Sequence, residues 1–119
     1  MSDTIFAKIV SGEIPTEFIY EDEHCVAIND INPLAPVHVL VIPRKAITML
    51  SEATVEDQAL LGHLMLAAGN VARQLGVEEG FRVMINNGAA AGMTVPHLHL
   101  HILAGRSMSE ASMAQGLDT

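Results

Sequence analysis

Polar and apolar residues alternate most regularly near the end of the chain, in Pro96-His97-Leu98-His99-Leu100-His101-Ile102-Leu103. Strict alternation over this length predicts a half-buried β-strand, because successive side chains of a strand point to opposite faces. The three histidines therefore share one predicted face, while the aliphatic residues between them pack on a core. Three imidazoles in a row make this strand a candidate site, since histidine serves as nucleophile, acid, base or metal ligand.

Four earlier segments also have the composition of strands. Glu17–Tyr20 and Cys25–Ile28 are joined by a short acidic turn, which predicts an antiparallel hairpin. His38–Pro43 is almost continuously apolar, as expected of a central strand covered on both faces. Phe81–Asn86 is the fourth predicted strand, and the histidine strand is the fifth.

Two segments have helical periodicity. Asp3 or Ser2 can cap a short helix over Thr4–Ser11. A long helix is predicted over about Thr54–Leu75, with acidic residues in its first turn that favour the helix dipole and Gly76 as its C-cap. His63 on this helix is interpreted as structural or solvated. The apolar stripe of the long helix is predicted to be core, through Leu60, Leu61, Leu64, Ala68, Val71 and Leu75.

These elements predict an α+β fold, a five-stranded antiparallel sheet with one short and one long helix on one face of it. We expect a single domain over residues 1–106 and a C-terminal tail over residues 107–119. Half of the 119 residues are hydrophobic and 3% are aromatic, so the core should be aliphatic. The single cysteine, Cys25, excludes an internal disulfide framework and cysteine-based zinc motifs, and its place in a strand favours a buried, inert thiol.

Charge and hydropathy limit the partners. Six basic and 14 acidic residues give a net charge of −8, which argues against binding long nucleic acid. A small phosphorylated ligand held by local donors is still compatible with this charge. No apolar run approaches the roughly 20 residues of a membrane span, and the N-terminus does not resemble a signal peptide. We therefore expect a cytoplasmic protein that does not bind membranes.

Two kinds of chemistry use a His-x-His strand. A metal site is the first, since catalytic zinc accepts three histidines. Its ligands would be nearly all histidine, because no Asp, Glu or Cys lies near the row in sequence. Nucleophilic catalysis on phosphorus is the second, with a neutral imidazole as nucleophile and neighbouring donors that stabilise the phosphoryl oxygens. The small-residue loop Asn87–Val95 favours the second, because glycines let the backbone approach a ligand closely.

The segment His97–Leu103 resembles the His-φ-His-φ-His-φ-φ signature of the histidine triad (HIT) superfamily, where φ is hydrophobic. Asp3–Phe6 with Ile14-Pro15 resembles the opening of that family, and Asp30–Pro43 resembles its central segment. Together these motifs are most similar to the Hint branch, the purine nucleoside phosphoramidases. The resemblance implies a HIT-like sheet of five strands per subunit and a homodimer whose two sheets join into one of ten strands.

The resemblance also implies an activity. The enzyme would hydrolyse the P–N bond of phosphoramidates derived from AMP or GMP. It would also act on aminoacyl adenylates. It would need no metal or cofactor. His99 would be the nucleophile and carry a transient nucleotidyl group. His38 and His97 would orient and polarise it, and His101 would contact the phosphate and the leaving-group side.

Substrate-binding residues follow from the same resemblance. Asn86 and Thr94 would hydrogen-bond the phosphate or the leaving group, and Thr94 stands where the Hint branch usually has Ser. Asp30 would bind the ribose hydroxyls. The base pocket would be lined by Ile5, Phe6, Ile9, Asn29, Ile31 and Leu40.

Other interpretations stay open. From the residues alone, Asp30 is a turn-stabilising residue, His38 a strand-edge residue and the first helix a piece of core. Within the superfamily, dinucleoside polyphosphate hydrolases and nucleotidyltransferases are alternatives, although transferases typically have Gln in place of the third histidine. The chain could also be a non-catalytic nucleotide-binding or scaffold protein, or hold zinc on the triad.

Overall fold

The computed structural model describes residues 4–110, and within them the sheet has five antiparallel strands, as predicted. The elements are α1 (Ile5–Val10), β1 (Tyr20–Glu21), β2 (Cys25–Asn29), β3 (Val37–Pro43), α2 (Gln58–Gln74), β4 (Phe81–Met84) and β5 (Leu100–Ala104). Short 3₁₀ turns occupy Leu50–Glu52, Val55–Asp57 and Ala89–Ala91. The strand order is β1-β2-β3-β5-β4, which places β3 at the centre and β4 at one edge.

The short helix α1 is capped by a residue that we predicted to lie inside it. The hydroxyl of Thr4 accepts a hydrogen bond from the backbone N–H of Ala7 at 3.1 Å. This satisfies one of the amides that have no partner within the first turn of a helix. The predicted caps, Asp3 and Ser2, lie outside the described residues.

The long helix α2 begins later than predicted, because its first turn is a 3₁₀ turn. The Thr54 hydroxyl accepts from the N–H of Glu56 at 3.3 Å, and the Asp57 carboxylate accepts from the N–H of Thr54 at 3.0 Å. This reciprocal cap precedes the α-helix proper. Gly76 ends the helix as expected, at a φ of 74° that favours glycine, with the next N–H bonded to the carbonyl of Ala72 at 2.9 Å. Leu75, predicted as core, is 37% exposed because the chain turns away there.

The two helices lie on opposite faces of the sheet, which corrects the prediction that both cover one face. On one face, α2 packs through Leu64, Ala68 and Val71 onto odd-numbered residues of β2 and β3 and even-numbered residues of β5. On the other, Phe6 and Ile9 of α1 pack onto even-numbered residues of β2 and β3. Because these strands are apolar on both faces, each face needs its own cover.

The outer strands are shorter than the patterns indicated. β1 begins at Tyr20 rather than Glu17, and β4 ends at Met84 rather than Asn86. β5 begins at Leu100, which pairs with Val41 of β3. This is the terminal pair between the two strands. Among the described residues, no helix is both long and apolar enough to cross a membrane.

Candidate active site

The histidine row occupies the face of the sheet that α1 covers. His97 and His99 precede β5 and His101 lies within it, and each is at most 2% exposed. Although the regular strand starts only at Leu100, the predicted alternation holds. Leu98, Leu100 and Ile102 point into the core beneath α2, while the rings lie on the opposite face.

The imidazole rings form a packed series with an aromatic residue of α1. The ring of Phe6 meets the ring of His99 edge-on, with centroids 4.8 Å apart, and lies 6.4 Å from the ring of His97. The rings of His99 and His101 are 5.0 Å apart. Phe6, predicted to line a base pocket, therefore packs directly against the proposed nucleophile.

His99 has a defined tautomer in its neutral form. Its Nδ1 lies 2.6 Å from the carbonyl oxygen of His97. A carbonyl can only accept, so Nδ1 carries the hydrogen and donates. In the neutral imidazole the lone pair then resides on Nε2, which makes this nitrogen the nucleophilic atom of the ring.

His97 is held by a backbone group from the end of the central strand. Its Nε2 donates to the carbonyl oxygen of Pro43 at 2.9 Å. Both residues lie beyond the terminal β3–β5 pair, Val41 with Leu100. Burial lowers the pKa of His97, the bond to Pro43 partly offsets this, and the neighbouring His99 lowers it further. The ring is therefore neutral, with its lone pair on Nδ1, a buried atom that has no hydrogen-bond partner in the described structure.

His38 and His101 are joined across the two central strands. The backbone N–H of Leu34 donates to Nδ1 of His38 at 3.0 Å, so the hydrogen of neutral His38 is on Nε2. That Nε2 lies 3.0 Å from Nδ1 of His101, which accepts it. His101 consequently carries its own hydrogen on Nε2, as a hydrogen-bond donor. Burial lowers the pKa of His38, with the charge of Asp30 opposing, which keeps this arrangement neutral.

Asp30 stabilises its own turn and also lies close to a buried histidine. One carboxylate oxygen accepts from the N–H of Asn32 at 2.8 Å, which is the turn-stabilising interaction that the sequence alone favoured. The other lies 3.5 Å from Nε2 of His38, and the side chain is 7% exposed. The carboxylate therefore stands beside the buried histidines, where it also balances any positive charge on them.

A metal at this point would have a different ligand set from the one expected. Asp30, His38 and His101 bring three potential ligand atoms within 4.8 Å of one another, so the set need not be all histidine. A metal ion there would, however, have to break the bond between the two rings.

The loop before the histidine row closes on itself through a sulfur atom. The N–H of Gly88 donates to Sδ of Met93 at 3.4 Å, and the N–H of Met93 returns to the carbonyl of Gly88 at 3.2 Å. Thr94, next in the chain, is exposed. Asn86 at the other end of the loop has a buried Nδ2 with no hydrogen-bond partner in the described structure, an available donor for a ligand oxygen.

The residues expected around the base divide into two groups. Phe6, Ile9 and Leu40 are buried in the small core beneath α1, where they contribute packing. Ile5 is 51% exposed and Ile31 is 92% exposed, and Asn29 is also exposed. The second group is therefore accessible to solvent, whereas the first belongs to the core between α1 and the sheet.

Two contributors to this site were not predicted. They are the backbone N–H of Leu34 and the carbonyl of Pro43, which set the tautomers of His38 and His97. Both are main-chain groups, and no residue pattern marks a main-chain group as functional. Met93 was also missed, since a methionine in a small-residue loop carries no distinctive signal.

Sequence comparison matches most of this chain to one protein family. The family profile described as HIT domain matches residues 11–108. An uncharacterised HIT-like protein of Synechocystis sp. is 60% identical over 107 residues, which is 90% of this chain and 94% of the relative. A second uncharacterised HIT-like protein, from Synechococcus elongatus, is 55% identical over the same coverage.

Solved structures share the fold. A HIT family hydrolase from Clostridium thermocellum superposes with a TM-score of 0.89 at 43% identity, covering 95% of this chain and 99% of that one. A HIT family hydrolase from Legionella pneumophila has a TM-score of 0.88 at 37% identity, covering 92% and 98%. A histidine triad protein from Clostridium difficile has a TM-score of 0.87 at 39% identity, covering 94% and 98%.

Proposed function

Because this chain belongs to the HIT domain family, we propose that it hydrolyses the P–N bond of purine nucleoside 5′-phosphoramidates through a nucleotidyl-His99 intermediate. Aminoacyl adenylates are proposed as further substrates. The observation that carries the proposal is the 2.6 Å bond from Nδ1 of His99 to the carbonyl of His97. It supports an imidazole that is neutral, oriented and nucleophilic at Nε2.

In the first step Nε2 of His99 attacks phosphorus and the P–N bond breaks. The amine leaves with the electron pair of that bond and takes one proton from solvent. The histidine is now a nucleotidyl-imidazolium, whose positive charge is shared with Nδ1. The carbonyl of His97 stabilises that charge, because a hydrogen bond to an ionised donor is stronger than one to a neutral donor.

In the second step water attacks the same phosphorus and the bond to Nε2 breaks. The electron pair returns to the imidazole, the proton of water returns to solvent, and the nucleoside monophosphate is released. His101 supports both steps as a donor, since its hydrogen is on Nε2 and can stabilise the charge that develops on a phosphoryl oxygen. His38 acts through His101 by fixing that tautomer.

Substrate contacts are proposed for residues beside the row. The buried Nδ2 of Asn86 supports a hydrogen bond to a phosphate oxygen. Thr94 is exposed at the end of the small-residue loop, which suits contact with the leaving group. Asp30 is proposed to bind ribose hydroxyls, and Ile5 and Ile31 to contact the base.

We further propose that the protein acts as a homodimer. β4 is an edge strand, so its outer backbone groups are available to pair with a second copy. Helix α2 exposes two large apolar residues, Met65 at 57% and Leu66 at 71%. A groove lined by Leu50, Leu61, Leu64, Met65, Ile85, Leu98 and Leu100 adjoins them. An edge strand beside an exposed apolar helix favours a two-fold pairing of sheets.

The proposal is tested with a substrate panel that varies the amine and the base, assayed with wild-type protein and His99→Ala. Adenosine phosphoramidate should be cleaved by the wild type, and the variant should lose turnover by on the order of a thousandfold or more. His24→Ala is the matched control, because His24 is exposed and lies away from the row. Circular dichroism checks that each variant is folded.

Other outcomes point to the alternatives. Faster cleavage of a dinucleoside polyphosphate would assign the chain to that hydrolase group. Tight binding of AMP without turnover of any substrate would indicate a nucleotide-binding protein. Loss of activity in EDTA would indicate a metal at the triad, and undiminished turnover by His99→Ala would reject the covalent mechanism.

A further inference from the structure

A second cluster of chemically reactive side chains lies on the opposite face of the sheet from the histidine row. It joins Asp22 in the turn before β2, Cys25 at the start of β2, and His63 on α2. One carboxylate oxygen of Asp22 is 2.7 Å from Nε2 of His63 and 3.7 Å from Sγ of Cys25. The three potential ligand atoms lie within 4.8 Å of one another.

We propose that this cluster binds a borderline-soft divalent cation of the Zn²⁺ class, with a carboxylate, a thiolate and an imidazole as its three protein ligands. Zinc accepts all three ligand types and commonly leaves a fourth position open. The Asp-x-x-Cys spacing of the turn places two ligands as the Cys-x-x-Cys pairs of zinc sites do. His63 supplies the third ligand from a helix.

Local structure orients the carboxylate before any ion binds. The other oxygen of Asp22 accepts from the N–H groups of His24 at 2.8 Å and Cys25 at 2.9 Å, which fixes the side chain across the turn. Tyr20 donates its hydroxyl to the ligand oxygen at 2.9 Å. Supporting hydrogen bonds of this kind hold a ligand in place and are a regular feature of metal sites.

The charge balance of the cluster favours a cation. Partial burial raises the pKa of Asp22, but hydrogen bonds from the N–H of His24, from His63 and from Tyr20 outweigh it and hold the pKa well below its usual range. The carboxylate is therefore ionised, and within residues 4–110 the imidazole of His63 is its sole ion-pair partner. Glu21 and Glu23 flank it, and Arg44 offsets part of their charge by pairing with Glu21 at 2.9 Å and donating to the carbonyl of Asp22 at 3.1 Å.

Binding of the cation would break the S–H bond of Cys25, form a metal–sulfur bond and release the proton to solvent.

The position of the cluster makes it accessible and separate from the proposed active site. The side chains of Asp22 and His63 are 23% and 33% exposed, while Cys25 is fully buried, so the ion enters from solvent with the thiol at its base. The centroid of the His24 ring lies 4.7 Å from that of the His63 ring. Cys25 belongs to the core beneath α2, whereas the histidine row faces α1.

The test uses Co²⁺ as a spectroscopic probe on the full chain after removal of metals with a chelator. We expect one ion per chain, a thiolate-to-cobalt charge-transfer band in the near ultraviolet, and loss of the band when Zn²⁺ is added. His63→Gln should weaken the affinity at least about tenfold, as loss of even a supporting partner does. Cys25→Ser should remove the charge-transfer band.

The control variant is His99→Gln, which should bind Co²⁺ as the wild type does because His99 lies on the other face. Asp22→Asn is a second ligand variant that keeps the size of the side chain, in case Cys25→Ser does not fold. The proposal is rejected if the wild type shows no charge-transfer band. It is also rejected if His63→Gln and Asp22→Asn bind Co²⁺ unchanged, or if His99→Gln abolishes binding.

Discussion

Nε2 of His38 lies 3.0 Å from Nδ1 of His101, although 63 residues separate them in sequence. The N–H of Leu34 donates to Nδ1 of His38, so the hydrogen of the neutral His38 ring is on Nε2. His38 is therefore the donor of the bond to His101. A single backbone amide therefore determines which nitrogen of each ring carries a hydrogen. In the proposed mechanism it is the reason that His101 presents a donor.

Replacing His38 should lower the rate of the chemical step. His38→Leu leaves the tautomer of His101 undetermined, and a wrong tautomer in a catalytic network lowers kcat by on the order of a hundredfold or more. His38→Gln can both accept from Leu34 and donate to His101, so it should recover part of the loss. Steady-state kinetics with adenosine phosphoramidate would separate kcat from KM. Equal activity of the two variants would argue against control of the tautomer.

Stability should fall as the pH drops below neutrality. Burial lowers the pKa of both His38 and His97 below the ordinary value of 6.5. Because the unfolded chain binds these protons first, their contribution is complete above about pH 6.5 and is lost as the pH falls through the folded-state pKa values. Thermal unfolding measured between about pH 7.5 and 5 should show this decline. His38→Gln should flatten it.

A charge on the exposed face of α2 should separate the proposed dimer. Leu66 is 71% exposed in the single chain, so Leu66→Glu costs the monomer little but would place a charge in an apolar interface. Sedimentation equilibrium should show a dimer for the wild type and a shift to monomer for this variant. Val55→Glu is the control, because Val55 is 80% exposed and lies before α2. A monomeric wild type would contradict the pairing.

Two glycine substitutions should have opposite effects on stability. Gly105 has a φ of 94°, and an added Cβ would lie 2.8 Å from Cβ of Pro36. Gly105→Ala should therefore destabilise the fold by more than about 1 kcal/mol, from strain and overpacking together. Gly62 lies within α2 with open space around it in the single chain, so Gly62→Ala should stabilise the monomer by about 0.5–1 kcal/mol. Urea unfolding of both variants would measure the difference, and equal effects would contradict the steric argument.

Local patterns were sufficient for the order of elements and for the face that the histidines share. Alternation from His97 to Leu103 depends on the geometry of extended backbone, which holds even where regular pairing has ended. Gly76 marked a helix end because its backbone conformation disfavours other residues. Strand ends were less predictable. They depend on whether a partner strand continues, and β3 stops pairing with β5 at Val41.

The sequence by itself therefore determined the strands, the long helix, the shared face of the three histidines and the resemblance to the HIT family. Only the tertiary structure decided that α1 covers the histidine face, that Asp30 stands beside His38, and which ring nitrogens carry hydrogen. The physical reason is that a tautomer depends on the group opposite each nitrogen. Here those groups are the N–H of Leu34 and the carbonyls of His97 and Pro43, whose positions exist only once the chain has folded.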